Sequence, residues 1–413
     1  MLMKFDLLIQ GGRDAAGHRL DVAIRDGRIM GTGSFEEKSA NRVLDAQGKI
    51  LLPNLIDPHV HFNQPGRSEW EGLATGTAAA RAGGIATVFD MPLNSTPPVL
   101  SLKEFEAKQA AIAEHACIDV KIWAGIIPGN HRDLKAMARA GAIGFKAFYC
   151  DSGLDEFPAT DRESLIRAMQ EIADTGLRVA VHAEHPAYLQ PGGSTSKQWC
   201  ENRPIQAELA AIEDVIRAAA KTGCKAHIVH ISSAEGIQLV HRLKQMLGID
   251  VTCETCPHYL LLNQADMERI GARAKCAPPL RPEQDRQALV DCFKTGLIDV
   301  LGSDHSPCLS SMKDGRFDEA WGGISGVQHG LQLLYAAMPD ALPMIVDCMS
   351  TRVASAFGLR KTGQLAAGQA APRFLLNPAI ETNVDDIDLL YRNRQSAFTG
   401  MSLRGKFIPI DAT

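Results

Sequence analysis

The chain has 413 residues, 45% of them apolar, with 43 basic against 48 acidic side chains and a formal charge of −5. That is enough to bury a large core in one big domain plus a smaller one. Slight acidity without Lys/Arg blocks argues against nucleic acid or an anionic membrane surface as partner, and no uncharged apolar run reaches the 18 residues of a membrane span. A small-molecule substrate is the remaining default.

The opening "MLMKFDLLIQGGR" has an apolar segment too short for a signal-peptide core and reads as a first strand. The ten cysteines lie at irregular positions, as expected of a cytoplasmic protein that keeps them reduced. Cys253 and Cys256 form a single C-x-x-C and, without a second pair, read as core or loop residues rather than structural zinc ligands.

From Leu8 to Asp45 short alternating strands are punctuated by turns, with Asp26-Gly27 suited to a tight hairpin. After Pro53 the pattern becomes buried strand, loop and amphipathic helix, many times over. Ser101 with Glu104 three residues on reads as a capping box, Pro282 as a first-turn proline, and Gly176, Gly223 and Gly296 as helix stops. Strands are predicted near residues 55, 86, 120, 143, 178, 226, 250 and 299 of the sequence. Eight such units indicate a (β/α)8 barrel rather than a doubly wound sheet, for which a G-x-G-x-x-G is missing. The tail returns to short strands, so residues 1–52 and 359–413 are expected to form one small β-sandwich domain beside a barrel domain of residues 53–358.

Working residues of such barrels sit at the C-terminal ends of the strands. "LIDPHVHFNQPGRSEWEG" delivers Asp57, His59 and His61 at alternate positions of the first strand, so their side chains point the same way. Strand four ends with Lys146, strand five with His182, strand six with His230 and strand eight with Asp304. Four histidines and a carboxylate are costly to bury without a shared partner, and a divalent metal is the simplest. Imidazole and carboxylate suit zinc, with cobalt, manganese or iron also served. Lys146 conflicts with this, because an ammonium is repelled by metal. His227, three positions before His230, is predicted to face the opposite side and pack against a helix; His185 is read as a loop or supporting residue.

In "DPHVH", "GFKAF", "VHAE", "HISS", "GSDHSPC" and "GLRKTGQLAAG" the sequence resembles the cyclic-amide branch of the amidohydrolase superfamily. The resemblance implies that Lys146 is carboxylated and that its carbamate, with a hydroxide, bridges two divalent ions. It assigns His59, His61 and Asp304 to one ion, His182 and His230 to the other, and makes Asp304 the general base and acid. Two divalent ions against carbamate, aspartate and hydroxide leave about one positive charge to polarise a carbonyl. The family also implies a homo-oligomer, commonly a tetramer.

Within that branch, "PGRSEWEGLATGTAAARAGGIATVFDMPLNSTPP" resembles the allantoinase group most closely. Dihydroorotases carry an arginine two positions after the second histidine, to grip a carboxylate; here the residue is Asn63, whose amide suits a ureido arm. The expected activity is hydrolysis of the hydantoin ring of allantoin to allantoate. Dihydroorotase, hydantoinase or dihydropyrimidinase activity, and a non-catalytic assembly partner, are the alternatives. Asn94 either touches substrate or makes an Asx turn before Pro97, and His258 either faces substrate or supports the site. Gly323 lies in "SSMKDGRFDEAWGGISGVQ", a region that approaches the ring in the family and reads as a mobile lid or as plain loop punctuation. "GQAAPRFLLNP" departs from the family's usual G-x-D-A-D turn, away from these residues.

Overall fold

The computed structural model describes residues 4–410. Five short strands come first: β1 (Phe5–Arg13), β2 (Arg19–Arg25), β3 (Arg28–Gly33), β4 (Ala40–Asp45) and β5 (Ile50–Leu51). Alternate residues of β1 and β2 serve two apolar clusters, Leu7, Ile9, Val22 and Ile24 in one and Leu8 and Ala23 in the other, as the two-residue period of a pleated strand requires. Asp26 and Gly27, at φ 50° and 66°, turn β2 back as β3. This is the hairpin their sequence predicts.

Eight parallel strands follow: β6 (Leu55–Val60), β7 (Ile85–Asp90), β8 (Asp119–Gly125), β9 (Gly144–Phe148), β10 (Arg178–His182), β11 (Lys225–Ile228), β12 (Val251–Thr255) and β13 (Val300–Leu301). Each pairs with its sequence neighbours, and a bridge between Val60 and His305 links the first strand to the segment after the last. The barrel predicted from eight strand–helix units is present. Ile56, Phe89, Trp123, Ala180, Val229 and Val300 fill its interior, while Leu55, Val88, Val179, Val181, Ile228 and Leu301 join the large cluster that includes the surrounding helices.

Two details differ from expectation. Ser101 precedes the helix Leu102–His115, but its hydroxyl donates to the Glu104 carboxylate instead of accepting a backbone N–H; the charged acceptor takes the hydroxyl proton and the reciprocal box does not form. His227 does not pack against a helix: its ring lies 6.4 Å from that of Trp123, nearly parallel to it, and 5.3 Å from that of Phe357, inside the barrel.

The chain ends meet. β14 (Phe374–Asn383) pairs antiparallel with β15 (Ser402–Pro409) and with β5, giving a seven-stranded mixed sheet ordered β15-β14-β5-β1-β2-β3, with β4 on β1. Among the described residues no helix is long and apolar enough to cross a membrane, and all ten cysteines are free.

Candidate active site

Loops beyond the barrel strands surround a cavity of about 600 Å³. His59, His61, Lys146, His182, His230 and Asp304, drawn from five strand ends, all line it. The hydrogen bonds of the imidazoles determine what each offers to that space. His59 Nδ1 lies 2.7 Å from Glu254 Oε1, and His61 Nδ1 lies 2.7 Å from the Leu93 carbonyl. A carboxylate and a carbonyl only accept, so each ring carries its proton on Nδ1 and presents an Nε2 lone pair inward. Those two Nε2 atoms stand 3.1 and 3.4 Å from Asp304 Oδ1.

His182 is turned the other way round. Its Nε2 lies 2.7 Å from Glu184 Oε2, and its Nδ1 faces His230 Nε2 at 3.0 Å. Burial pushes His59, His182 and His230 below the ordinary histidine range, so these rings are neutral ligand donors.

Lys146 sits among these groups. Its Nζ is buried without a hydrogen-bond partner, 4.9 Å from the Phe148 ring centroid, and burial pushes the amine down to about 8. An unpaired amine in such a place is expensive.

Glu254, the next-to-last residue of β12, anchors the centre from below. Oε1 accepts from His59 Nδ1 and from the His230 backbone N–H, and Oε2 lies 3.2 Å from His227 Nε2. Against the upward push of burial, His59 and His227 hold this carboxyl down to about 2. Gly302 leaves it room, since a Cβ there would stand 2.8 Å from Glu254 Cδ. Asp57 accepts the backbone N–H groups of His59 and Ser303, tying the first strand to the segment after the eighth. Glu184 is itself gripped by Arg203. His230 and Asp304 have φ of 41° and 44°, a left-handed backbone that non-glycine residues adopt rarely and mostly at functional sites.

Of the other predicted residues, Asn94 and Gly323 line the cavity and Asn63 and His258 do not. Asn63 is buried, donating to the Pro307 carbonyl and accepting from Asn94 Nδ2 at 3.3 Å each. His258 is buried with neither ring nitrogen partnered, its pKa pushed down to about 4 by burial. Glu254 and Glu184 escaped the sequence reading as participants. Glu254 was signalled only by a lone charge near the end of the buried strand "VTCET".

Barrels that gather imidazoles and a carboxylate at the C-terminal ends of their strands include metal-assisted hydrolases. The sequence profile of the amidohydrolase family matches residues 50–406, and the chain belongs to that family. It is 41% identical to the allantoinase of Rubrobacter xylanophilus, covering 98% of this chain and 92% of that one. It is 42% identical to the allantoinase of Solibacter usitatus, covering 93% and 87%. Among solved structures, the L-hydantoinase (dihydropyrimidinase) of Arthrobacter aurescens superimposes with a TM-score of 0.92 at 29% identity, over 98% of this chain and 95% of that one.

Proposed function

We propose that this protein hydrolyses the hydantoin ring of allantoin to allantoate at a pair of divalent cations. His59, His61 and Asp304 would hold one cation, His182 and His230 the other, and Lys146, as its carbamate, both. The observation that carries this reading is the inward-facing set of acceptors. His59 Nε2 and Asp304 Oδ1 face each other at 3.1 Å with the Nδ1 proton of His59 committed to Glu254; two acceptors so close need a metal ion or a shared proton between them. The partnerless amine of Lys146 fits the same reading, because a carbamate replaces a buried cation by an anion with two oxygens.

When bound, the cations polarise the ring amide carbonyl and acidify water. Asp304 takes the proton of the attacking water and returns it to the ring nitrogen as the carbon–nitrogen bond breaks. The ring carbonyl carbon becomes the carboxylate of the product and the nitrogen leaves as part of a ureido group. The Asn94 amide, offering donor and acceptor, suits the ureido arm. Glu254, Glu184 and the Leu93 carbonyl hold three imidazoles in fixed tautomers, so no reorientation is needed during the reaction.

Allantoin is favoured among cyclic amides by the identity to curated allantoinases over nearly the whole chain and by Asn63 in place of a carboxylate-gripping arginine. The hydantoinase-like fold supports a second reading, a hydantoinase acting on other 5-substituted hydantoins. The same proposal takes zinc as the native cation, a cytoplasmic homotetramer as the assembly, and residues 1–52 with 359–413 as a domain beside the barrel of 53–358. Turnover of metal-replete protein on allantoin, dihydroorotate, dihydrouracil and a 5-alkyl hydantoin tests it. Allantoin is expected to be the best substrate. A clear preference for dihydroorotate would defeat the specificity argument, and one for the alkyl hydantoin would select the second reading.

A further inference from the structure

The segment 309–323, downstream of Asp304, supplies Asp318, Glu319, Ala320, Trp321, Gly322 and Gly323 to the cavity wall. Its only regular element is the short turn Ser310–Lys313, and its glycines suggest mobility. Two lysines that the chemistry above does not use nevertheless fasten it. Lys275 Nζ donates to the main-chain carbonyls of Phe317, Asp318 and Ala320 at 2.6, 3.2 and 2.7 Å. Lys313 Nζ donates to those of Ala272, Trp321 and Gly323 at 3.1, 2.7 and 2.7 Å.

An ammonium has three donors and no acceptor, so both groups are saturated by carbonyls. Asp318, on the same segment, has its carboxylate bonded to Arg316 instead. Lys275 Nζ also lies 4.3 Å from the ring of Trp199 and 5.3 Å from that of Phe317, which attract a cation by their faces. Burial pushes both lysines down to about 8. Such groups are retained at a cost, which the six carbonyls offset.

The two lysines converge on Gly323. Its N–H donates to the Lys275 carbonyl at 2.7 Å while its own carbonyl accepts from Lys313. At φ 144° a Cβ there would stand 2.4 Å from the Ser306 carbonyl oxygen, so the wall presses directly on the loop that carries Asp304.

We propose that Lys275 and Lys313 are positioning residues that clamp residues 317–323 as a fixed wall at a set distance from Asp304, giving the cavity its shape for substrate in advance. This rests on reading the cavity as the substrate site. In place of the mobile lid, one of the two readings the sequence allows, it puts a wall already formed, and its consequence is a KM effect. A preformed wall lowers the ordering cost of binding, whereas the groups that move protons are untouched.

The test uses full-length, metal-replete Lys275→Met and Lys313→Met, which keep the apolar stems. Each is expected to raise KM about tenfold or more with kcat within about threefold, for whichever cyclic amide the unmodified protein turns over. Trypsin is expected to cleave after the exposed Arg316 about tenfold faster in each variant, because proteolysis follows the population of the open segment. Unchanged cleavage in both variants, or a fall in kcat without a rise in KM, overturns the clamp. If a variant does not fold, hydrogen exchange in the unmodified protein decides. Protection of the Trp321 and Gly323 amides comparable with the barrel strands supports the clamp, and exchange at the rate of an unstructured peptide overturns it. Cleavage and exchange need no substrate, so failure to open allantoin would defeat the functional reading while leaving the clamp to be judged separately.

Discussion

Lys146 combines three properties that are rarely found together: a buried amine, no hydrogen-bond partner, and four imidazoles sharing its cavity. As an ammonium it would repel any cation its neighbours gather, while as a carbamate it would bind it. Lys146→Ala is therefore expected to lose metal and activity together, with partial recovery when a small carboxylate such as acetate is supplied. Metal content and turnover check this side by side. Full activity in the variant without additive would remove the bridging role. Glu254 illustrates the complementary economy, one carboxylate setting the tautomer of His59, bonding His227 and holding the His230 backbone.

At the scale of elements, the site depends on loops held by the helices behind them. The helix Leu102–His115 sends Lys108 into the protein, where its ammonium lies 2.8 Å from Asp90 Oδ2 and donates to the Met91 carbonyl and Ser95 Oγ. Asp90 ends β7 and accepts the Phe62 N–H from the loop beyond His61. Between them runs the 91–95 loop, whose Leu93 carbonyl orients His61 and whose Asn94 lines the cavity. Removing one partner of a buried ion pair leaves the other charge uncompensated. Lys108→Met is thus expected to lower stability by about 3–5 kcal/mol in denaturant unfolding, with part recovered in the Lys108→Met, Asp90→Asn double variant. A single variant as stable as the parent protein would show that this pair does not organise the loop.

Across the whole molecule, the tail returns to the barrel near His329, which precedes the helix Gly330–Ala337. Its neighbour Gln328 donates its side-chain amide to the Asp388 carbonyl and its backbone N–H to the Tyr391 hydroxyl oxygen. Burial pushes the His329 imidazole down to about 4, with the Asp388 carboxylate opposing. Below the ordinary value of 6.5 the unfolded chain takes up a proton that the folded chain refuses until about 4. This contribution to stability is accordingly complete above 6.5 and lost as pH falls toward 4, and is worth about 3 kcal/mol. His329→Gln is expected to flatten the acid limb of unfolding free energy relative to the parent over that window; parallel curves would show the imidazole is not protected from protonation. The sequence by itself determined the barrel, because eight buried strands each followed by a helical stretch, several closed by a glycine stop, have one economical way to cover both faces of a parallel sheet. It also determined which six polar residues meet at the mouth, since strand ends of a barrel converge whatever the loops do. Only the tertiary structure decided which nitrogen each imidazole turns inward. Only it brought His227 inside, because β11 stops at Ile228 and the left-handed turn at His230 breaks the alternation that assigns faces. Glu254, Lys108 and the lysines gripping the cavity wall were illegible for the same physical reason: their partners are carbonyls and side chains eight or more residues away, and hydrogen bonds of that kind leave no period in the chain.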